Sequence, residues 1–195
     1  MKPLLLIDFY RTLSHDKFWR GLEKELREKV EHFIFGLHPE LVEEWMEGKR
    51  TSEEINQLVA KEFSLDYGRL WEIFVSDAKT MHIEKSDLDA ISLLREKHRV
   101  ILVTDNMDSF GRFTIPAQRL NTYFDEIVSS HSHRARKNRE LFENIVSGHR
   151  ADISKSVLID DSSEHCQAFT DIGGKAFQAT DTHSLGFWLE RLKGD

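Results

Sequence analysis

Two hydrophobic patterns alternate along the chain and predict its secondary structure. Short, almost wholly apolar runs occupy residues 4–7, 100–103 and 156–159, and they have too few polar positions for amphipathic helices. Runs of this kind are typical of strands buried in a parallel sheet. Weaker signals predict two more strands, near residues 126–129 and 175–178. Because helical patterns separate the strands after residue 86, the chain is predicted to be an α/β protein with a doubly wound parallel sheet.

One long segment has a helical pattern throughout. It runs from residue 15 to about residue 85, directly after the first predicted strand. Apolar residues at steps of three and four predict a first helix over residues 18–36. Three further helices are indicated by a proline or a capping residue at their start: Pro39, Thr51 and Asp66. The segment therefore reads as a block of helices inserted into the α/β unit.

Polar residues stand where three of the predicted strands end. Asp8 follows the first strand, Thr104 the second clear one, and the pair Asp160–Asp161 a later one. Ligands bind outside the carboxyl ends of strands in open parallel sheets, although a carboxylate there can also simply cap a turn. An attacking carboxylate, a hydroxyl, a cation and an acidic pair that holds a divalent ion are the groups that phosphoryl transfer through an aspartyl intermediate requires.

Composition limits the function classes. The 195 residues carry 27 Lys and Arg against 34 Asp and Glu, and the resulting net charge of −7 disfavours extended contact with nucleic acid. Cys166 is the only cysteine, so neither a disulfide within the chain nor a zinc site with cysteine ligands is expected. No apolar run is long enough to span a membrane, and the apolar run near the amino terminus is too short for a signal peptide, so the expected location is the cytoplasm. The expected partner is a small-molecule substrate, and binding to nucleic acid or to a membrane is not expected.

Taken in order, these segments resemble the haloacid dehalogenase superfamily over nearly the whole chain. The first motif of that superfamily, Asp-x-Asp-x-Thr-Leu, is similar to residues 8–13 except that Tyr10 replaces the second Asp. A strand that ends in Thr104 is similar to the second motif, and Asp160–Asp161 to the acidic pair of the fourth. The resemblance implies a Rossmann-like core of residues 1–14 and 86–195, with residues 15–85 as an all-helical cap domain that closes over the site.

The third motif of the superfamily is a lysine just before a helix, and two residues of this chain compete for that place. Counting back from Phe142 favours Arg136, whereas a loop shorter by one residue favours Lys137. We prefer Lys137, because its compact ammonium suits a point contact with both the nucleophile and a phosphate.

The resemblance also implies roles for individual residues. Asp8 is the expected nucleophile, and Mg²⁺ is the expected cofactor. The expected metal ligands are Asp8, the backbone carbonyl of Tyr10, and Asp161 with Asp160 beside it. The expected catalytic residues are Asp8, Tyr10, Thr104 and Lys137, and the expected substrate contacts are Thr12, Thr104, Asp105, Asn106 and Lys137.

Tyr10 leaves the reaction open. In phosphatases of the superfamily the second Asp protonates the leaving group and later activates water, which a phenol with an ordinary pKa of about 10 does poorly. A tyrosine at this place resembles the 2-haloacid dehalogenase branch, which needs no metal, whereas Asp160–Asp161 resembles the magnesium-dependent phosphatases. A magnesium-dependent hydrolase or phosphotransferase is the favoured interpretation. A dehalogenase and a weakly active or inactive binding protein remain as alternatives, since function belongs to the site and not to the fold.

Overall fold

A computed structural model describes residues 2–194, and its centre is one sheet of five parallel strands. The strands are β1 (Leu4–Ile7), β2 (Arg99–Thr104), β3 (Glu126–Ser129), β4 (Val157–Asp160) and β5 (Lys175–Gln178). Their spatial order is β3-β2-β1-β4-β5, so β1 lies in the middle between β2 and β4. Every apolar run of the sequence forms a strand, and the predicted α/β class is confirmed.

Helices cover both faces of the sheet. Side chains of β1 alternate between two cores, because Leu5 and Ile7 face one and Leu4 and Leu6 the other. The helices α5 (Lys85–Leu94) and α10 (Leu185–Gly194) cover the first face, and α8 (Arg139–Gly148) and α9 (Ser163–Asp171) cover the second. Burial on both faces explains why the strands are continuous apolar runs, and it gives the predicted doubly wound arrangement.

The inserted segment is helical, as predicted. Its helices are α1 (Lys24–Glu31), which a π-helical stretch continues over His32–Leu37, then α2 (Pro39–Met46), α3 (Ser52–Glu62) and α4 (Tyr67–Lys79). The capping box predicted at Thr51 forms with Glu54, and Asp66 caps α4 by accepting a hydrogen bond from the backbone of Arg69. The division into two domains at residues 14 and 86 stays a prediction.

The predicted start of the first inserted helix is wrong. The helix begins at Lys24, whereas the apolar pattern placed its start near Phe18. Trp19 has a left-handed backbone with φ of 61°, which a helix does not tolerate, and it is fully buried together with Phe18 in the aromatic cluster of the insert. Phe18 is apolar because its ring packs in this cluster, and its place in the apolar pattern therefore does not indicate a helical turn.

Short helical elements follow two of the strands. A π-helical turn at Phe110–Thr114 leads into α6 (Ile115–Gln118) after β2, and α7 (Ser130–His133) follows β3. Short 3₁₀ turns lie at Leu120–Thr122 and Ile153–Lys155.

Of the helices between residues 2 and 194, none combines the length and the apolar character that crossing a membrane requires.

Candidate active site

Three strand ends meet at one edge of the sheet. Asp8 directly follows β1, Thr104 ends β2, and Asp160 ends β4. Because β1 lies between β2 and β4, these residues are neighbours, and the N–H of Asp8 donates to the carbonyl of Ile159 at 2.9 Å. Asp8, Thr104 and Asp160 are all buried. The topology therefore brings the predicted residues together at the crevice where ligands bind in folds of this kind.

Lys137 joins two of the carboxylates. Its ammonium donates to Oδ1 of Asp8 and to Oδ2 of Asp160, both at 2.6 Å. The loop that carries it is held at two points, since Asp105 accepts the backbone N–H of Lys137 at 2.7 Å and Asn138 caps α8. The structure thus brings Lys137, and not Arg136, to Asp8. Arg136 instead pairs with Asp105, where Nε and Oδ2 are 2.9 Å apart without hydrogen-bond alignment.

The two acids of the pair after β4 have different surroundings. Both oxygens of Asp160 are occupied, because Oδ1 accepts from the backbone of Ser162 at 2.9 Å and from Nδ1 of His165 at 3.2 Å, while Oδ2 faces Lys137. Asp161 is only partly buried and has one ionic neighbour, Arg11, with Nε 3.5 Å from Oδ2. Asp161 is therefore the more available of the two as a metal ligand.

Burial and charge set the ionisation of the cluster. Burial raises the pKa of Asp8, and the charges of Asp160 and Asp161 raise it further against the opposing effect of Lys137. Burial would also raise the pKa of Asp160, but the hydrogen bond from His165 and the ammonium of Lys137 hold it below its ordinary value. Desolvation would lower the pKa of Lys137, yet the two carboxylates keep it well above its ordinary value. When Asp8 is ionised, three carboxylates therefore face one buried cation, Lys137.

A divalent cation fits this arrangement. Asp8, Asp160 and Asp161 each offer an oxygen, and these oxygens lie within 4.8 Å of one another. Carboxylate oxygens are the ligands that Mg²⁺ prefers, and a second cation would balance the charge that Lys137 leaves uncompensated. The part assigned to the backbone carbonyl of Tyr10 stays a prediction.

Two buried hydroxyls at the site have no partner within the protein. Thr12 and Thr104 are almost fully buried, and neither hydroxyl makes a hydrogen bond to any group in residues 2–194. A buried polar atom without a partner costs free energy, about 1–3 kcal/mol, so such atoms at a ligand crevice indicate a polar ligand. Both residues were predicted as substrate contacts.

Asp105 and Asn106, two more of the five predicted substrate contacts, are already engaged. Asp105 holds Lys137 and Arg136, as described above. The backbone N–H of Asn106 donates to the hydroxyl of Ser130, and its side-chain oxygen accepts the N–H of Met107. Asp105 therefore serves mainly to position the lysine loop, and the N–H of Asn106 is not free for a phosphate in this conformation.

Tyr10 does not bond to the carboxylates. Its side chain is 37% exposed and lines an apolar cavity of about 250 Å³ beside the site. Sequence reasoning gave no sign of this cavity, whose walls come from several distant segments. The contact of His165 with Asp160 was also left unassigned, although His165 follows Asp161 by only four residues.

Comparisons with solved structures point to one fold. A HAD family enzyme of Bacteroides thetaiotaomicron matches with a TM-score of 0.73 at 19% identity, covering 92% of this chain and 94% of that one. The same enzyme in complex with magnesium and inorganic phosphate matches with a TM-score of 0.68 at 18% identity over 92% and 95% of the two chains. A HAD-like family hydrolase of Porphyromonas gingivalis matches with a TM-score of 0.73 at 16% identity over 100% and 99%.

A 2-haloacid dehalogenase of Pseudomonas syringae also matches, with a TM-score of 0.66 at 14% identity over 100% of this chain and 99% of that one. No protein-family model matches the sequence, and no curated protein matches it either. At these identities the likeness concerns the fold, and both phosphate-binding and dehalogenating proteins share it.

Proposed function

We propose, from the haloacid dehalogenase fold that this chain has, that the protein is a magnesium-dependent hydrolase of small-molecule phosphate monoesters that acts through a phosphorylated Asp8. The observation that carries the proposal is the charge balance at Asp8. Three carboxylates converge there, and Lys137 is the buried cation that contacts two of them. Asp8, Asp161 and the carbonyl of Tyr10, with Asp160 beside them, would hold Mg²⁺, which would supply the charge that lets a phosphate dianion approach an aspartate.

The protein's own groups have distinct parts in the first step. A carboxylate oxygen of Asp8 forms a bond to phosphorus while the bond from phosphorus to the ester oxygen breaks, and the electron pair leaves with that oxygen. Lys137 fixes the orientation of Asp8 through the 2.6 Å contact and offers positive charge to the phosphoryl oxygens. The unpartnered hydroxyls of Thr12 and Thr104 donate hydrogen bonds to the same oxygens.

The second step regenerates the free enzyme. Water attacks the phosphorus of phosphorylated Asp8, the bond between phosphorus and the carboxylate oxygen breaks, and inorganic phosphate leaves. This attack needs a base, and position 10 offers a phenol in place of a carboxylate. We therefore expect hydrolysis of the intermediate to be the slow step.

A metal-independent 2-haloacid dehalogenase is the second candidate. Tyr10 and the apolar cavity favour it, because a halide leaves carbon without needing a proton from an acid. Asp160 and Asp161 count against it, since they stand beside Asp8 and would repel the carboxylate of a haloacid unless a cation lay between them.

Release of phosphate and of halide separates the two candidates. We expect phosphate release from a panel of monoesters with Mg²⁺, and loss of that release with EDTA and in the Asp8→Asn variant. The matched control is Asp89→Asn, the same chemical change on the exposed face of α5, which should keep full activity. Phosphate release that EDTA leaves unchanged would refute the metal mechanism, and metal-independent halide release from 2-chloropropionate would favour the second candidate.

A further inference from the structure

The cavity beside the site is apolar and rich in methionine. Its volume is about 250 Å³, and its apolar walls are Phe9, Phe18, Phe35, Met46, Met81 and Met107. Residues 2–194 contain three methionines, and all three line this one cavity. Methionine is flexible and polarizable and makes favourable contacts with aromatic rings, so it is common where a binding surface must adapt to an apolar ligand.

The cavity is lined by residues that directly follow two of the proposed catalytic residues in the sequence. Phe9 and Tyr10 follow Asp8 directly, and Asp105 and Asn106 follow Thr104 directly, and all four line the cavity. A ligand whose phosphate lies at Asp8 therefore has its organic group next to this space. The inserted segment closes the other side with Phe18, Phe35 and Met46.

The polar side chains around the cavity are each tied to another group of the protein. Asp16 accepts the backbone N–H of His82 at 2.8 Å, and the ammonium of Lys17 donates to Glu31 at 3.0 Å. The side chains of Asp105 and Asn106 are engaged with the lysine loop and with Met107, as described above. Sugar hydroxyls seated against the phenylalanine and methionine walls would lose their hydrogen bonds to water, at a cost of about 1–3 kcal/mol for each one left without a partner.

The size of the cavity suits one or two rings. A dry protein cavity of about 150 Å³ is known to hold benzene, so about 250 Å³ leaves room for a substituted phenyl or a naphthyl group. The chemistry at position 10 favours the same class. An alkoxide needs a proton in order to leave, whereas a phenolate, with a conjugate acid of pKa about 10, leaves without an acid of the enzyme.

We propose that the substrates are phosphate monoesters of phenols, with the aromatic ring seated among Met46, Met81 and Met107. This inference rests on the proposed function and deepens it. In the reaction Asp8 forms its bond to phosphorus, the bond between phosphorus and the phenolic oxygen breaks, and the phenolate takes a proton from solvent. The inserted helices then select substrates by the apolar character of the leaving group.

The test compares esters in the presence of Mg²⁺ and alters the cavity. We expect kcat/KM for 2-naphthyl phosphate to exceed that for phenyl phosphate severalfold, although the two leaving groups are similar phenols. Glucose 6-phosphate should be poorer than either by about a hundredfold, because its hydroxyls find no partners in the cavity.

Two variants probe the walls. Met81→Gln keeps the length of the side chain but makes it polar, and Phe35→Gln changes a ring that is 38% exposed and so leaves folding little affected. Each should raise KM for 2-naphthyl phosphate about tenfold while leaving inhibition by inorganic phosphate unchanged. Leu93→Gln, at an apolar residue on α5 that is 56% exposed and does not line the cavity, is the matched control and should change neither.

The outcomes separate the inference from the function beneath it. Hydrolysis of glucose 6-phosphate as fast as that of 2-naphthyl phosphate, or unchanged KM in both cavity variants, overturns the inference and leaves the phosphatase function standing. Absence of hydrolysis of every ester overturns the proposed function. Selective loss of affinity for the naphthyl ester in the cavity variants supports the inference.

Discussion

The ammonium of Lys137 lies 2.6 Å from Oδ1 of Asp8, and both side chains are almost completely buried. The same ammonium lies 2.6 Å from Asp160, so one cation holds two carboxylates in place. Removing one partner of a buried ion pair leaves an uncompensated charge, which is far more costly than losing an exposed pair. Asp8 is thus oriented by an interaction that also stabilises the fold.

Replacing Lys137 by methionine should therefore impair both stability and activity. In EDTA we expect Lys137→Met to lower the free energy of unfolding by about 3 kcal/mol, measured by urea denaturation. In Mg²⁺ it should lower kcat for a phosphate ester at least a hundredfold, because it removes positive charge from the phosphoryl oxygens.

Arg136→Met is the matched control for Lys137→Met. Arg136 is partly exposed and contacts Asp105 and not Asp8, so its replacement should cost less than about 1 kcal/mol and leave kcat within a few fold. Equal losses in the two variants would contradict the assignment of Lys137.

Tyr10 should make the phosphorylated form of Asp8 accumulate. With 2-naphthyl phosphate we expect a burst of naphthol of about one equivalent per active site, followed by slow turnover, in rapid-mixing measurements. Tyr10→Asp supplies a carboxylate that can activate water, so it should raise the steady-state rate about tenfold or more and remove the burst. Tyr10→Phe changes the phenol without adding a carboxylate and should keep the burst. A wild-type protein with no burst and no gain from Tyr10→Asp would contradict this mechanism.

The raised pKa of Asp8 makes stability depend on pH. Burial moves this pKa from 3.8 to about 7, so in the absence of metal the native state keeps a proton that the unfolded state loses. Because the native state binds more protons in that interval, the free energy of unfolding should fall as pH rises from about 4 to 7. In urea titrations with EDTA, Asp8→Asn should show a smaller decrease over the same interval. A decrease of the same size in both proteins would contradict the assigned cause.

Saturating Mg²⁺ should reverse this trend. A cation at Asp8 favours the carboxylate, so it should lower the pKa and raise stability most at the upper end of the interval. The measurement is the same urea titration with Mg²⁺ in place of EDTA. Stabilisation by Mg²⁺ that is equal at pH 4 and pH 7 would show that the ion binds elsewhere.

Asp108 fastens the inserted helices to the segment after β2. Its carboxylate accepts hydrogen bonds from the hydroxyl and the backbone N–H of Ser52 at 2.5 and 3.1 Å, from the indole of Trp45 at 2.8 Å and from Arg112 at 2.8 Å. Burial would raise the pKa of Asp108, but these donors hold it below its ordinary value. Asp108→Asn removes the charge and puts an amide N–H₂ where the carboxylate accepts from Trp45, Ser52 and Arg112, so we expect it to lower the free energy of unfolding by about 1–3 kcal/mol, measured against Asp89→Asn. Equal stability of the two variants would mean that this network does not hold the insert.

The strands of the sheet and their ends could be predicted from the sequence, because a strand buried on both faces is a continuous apolar run. Asp8, Thr104 and the acidic pair stand out where those runs stop, and the parallel order then brings them together. Counting along the third motif left Lys137 and Arg136 open, and the preference for Lys137 rested on its compact ammonium. Which of the two reaches Asp8 depends on the path of a loop in which Arg134 adopts a left-handed backbone. No local pattern encodes that path.

The site's other features depend on tertiary packing. Phe18 fits the apolar spacing of the predicted helix but lies before it, because its ring fills the aromatic cluster of the insert together with Trp19. The cavity combines residues from the loop after β1, the insert and the loop after β2, and their periodicity is that of ordinary core positions. Only the folded structure shows which of these apolar residues line a cavity and which are packed in the core.

The central claim is that Asp8 carries the phosphoryl group during turnover. The most direct measurement is mass spectrometry of the peptide that contains Asp8, after acid quenching of the protein with a phosphate ester and Mg²⁺. We predict the added mass of one phosphoryl group on Asp8, absent with EDTA and absent in Asp8→Asn. Hydrolysis of the ester with Asp8 unmodified at every quench time, or modification of Asp8 by 2-chloropropionate without metal, would contradict it.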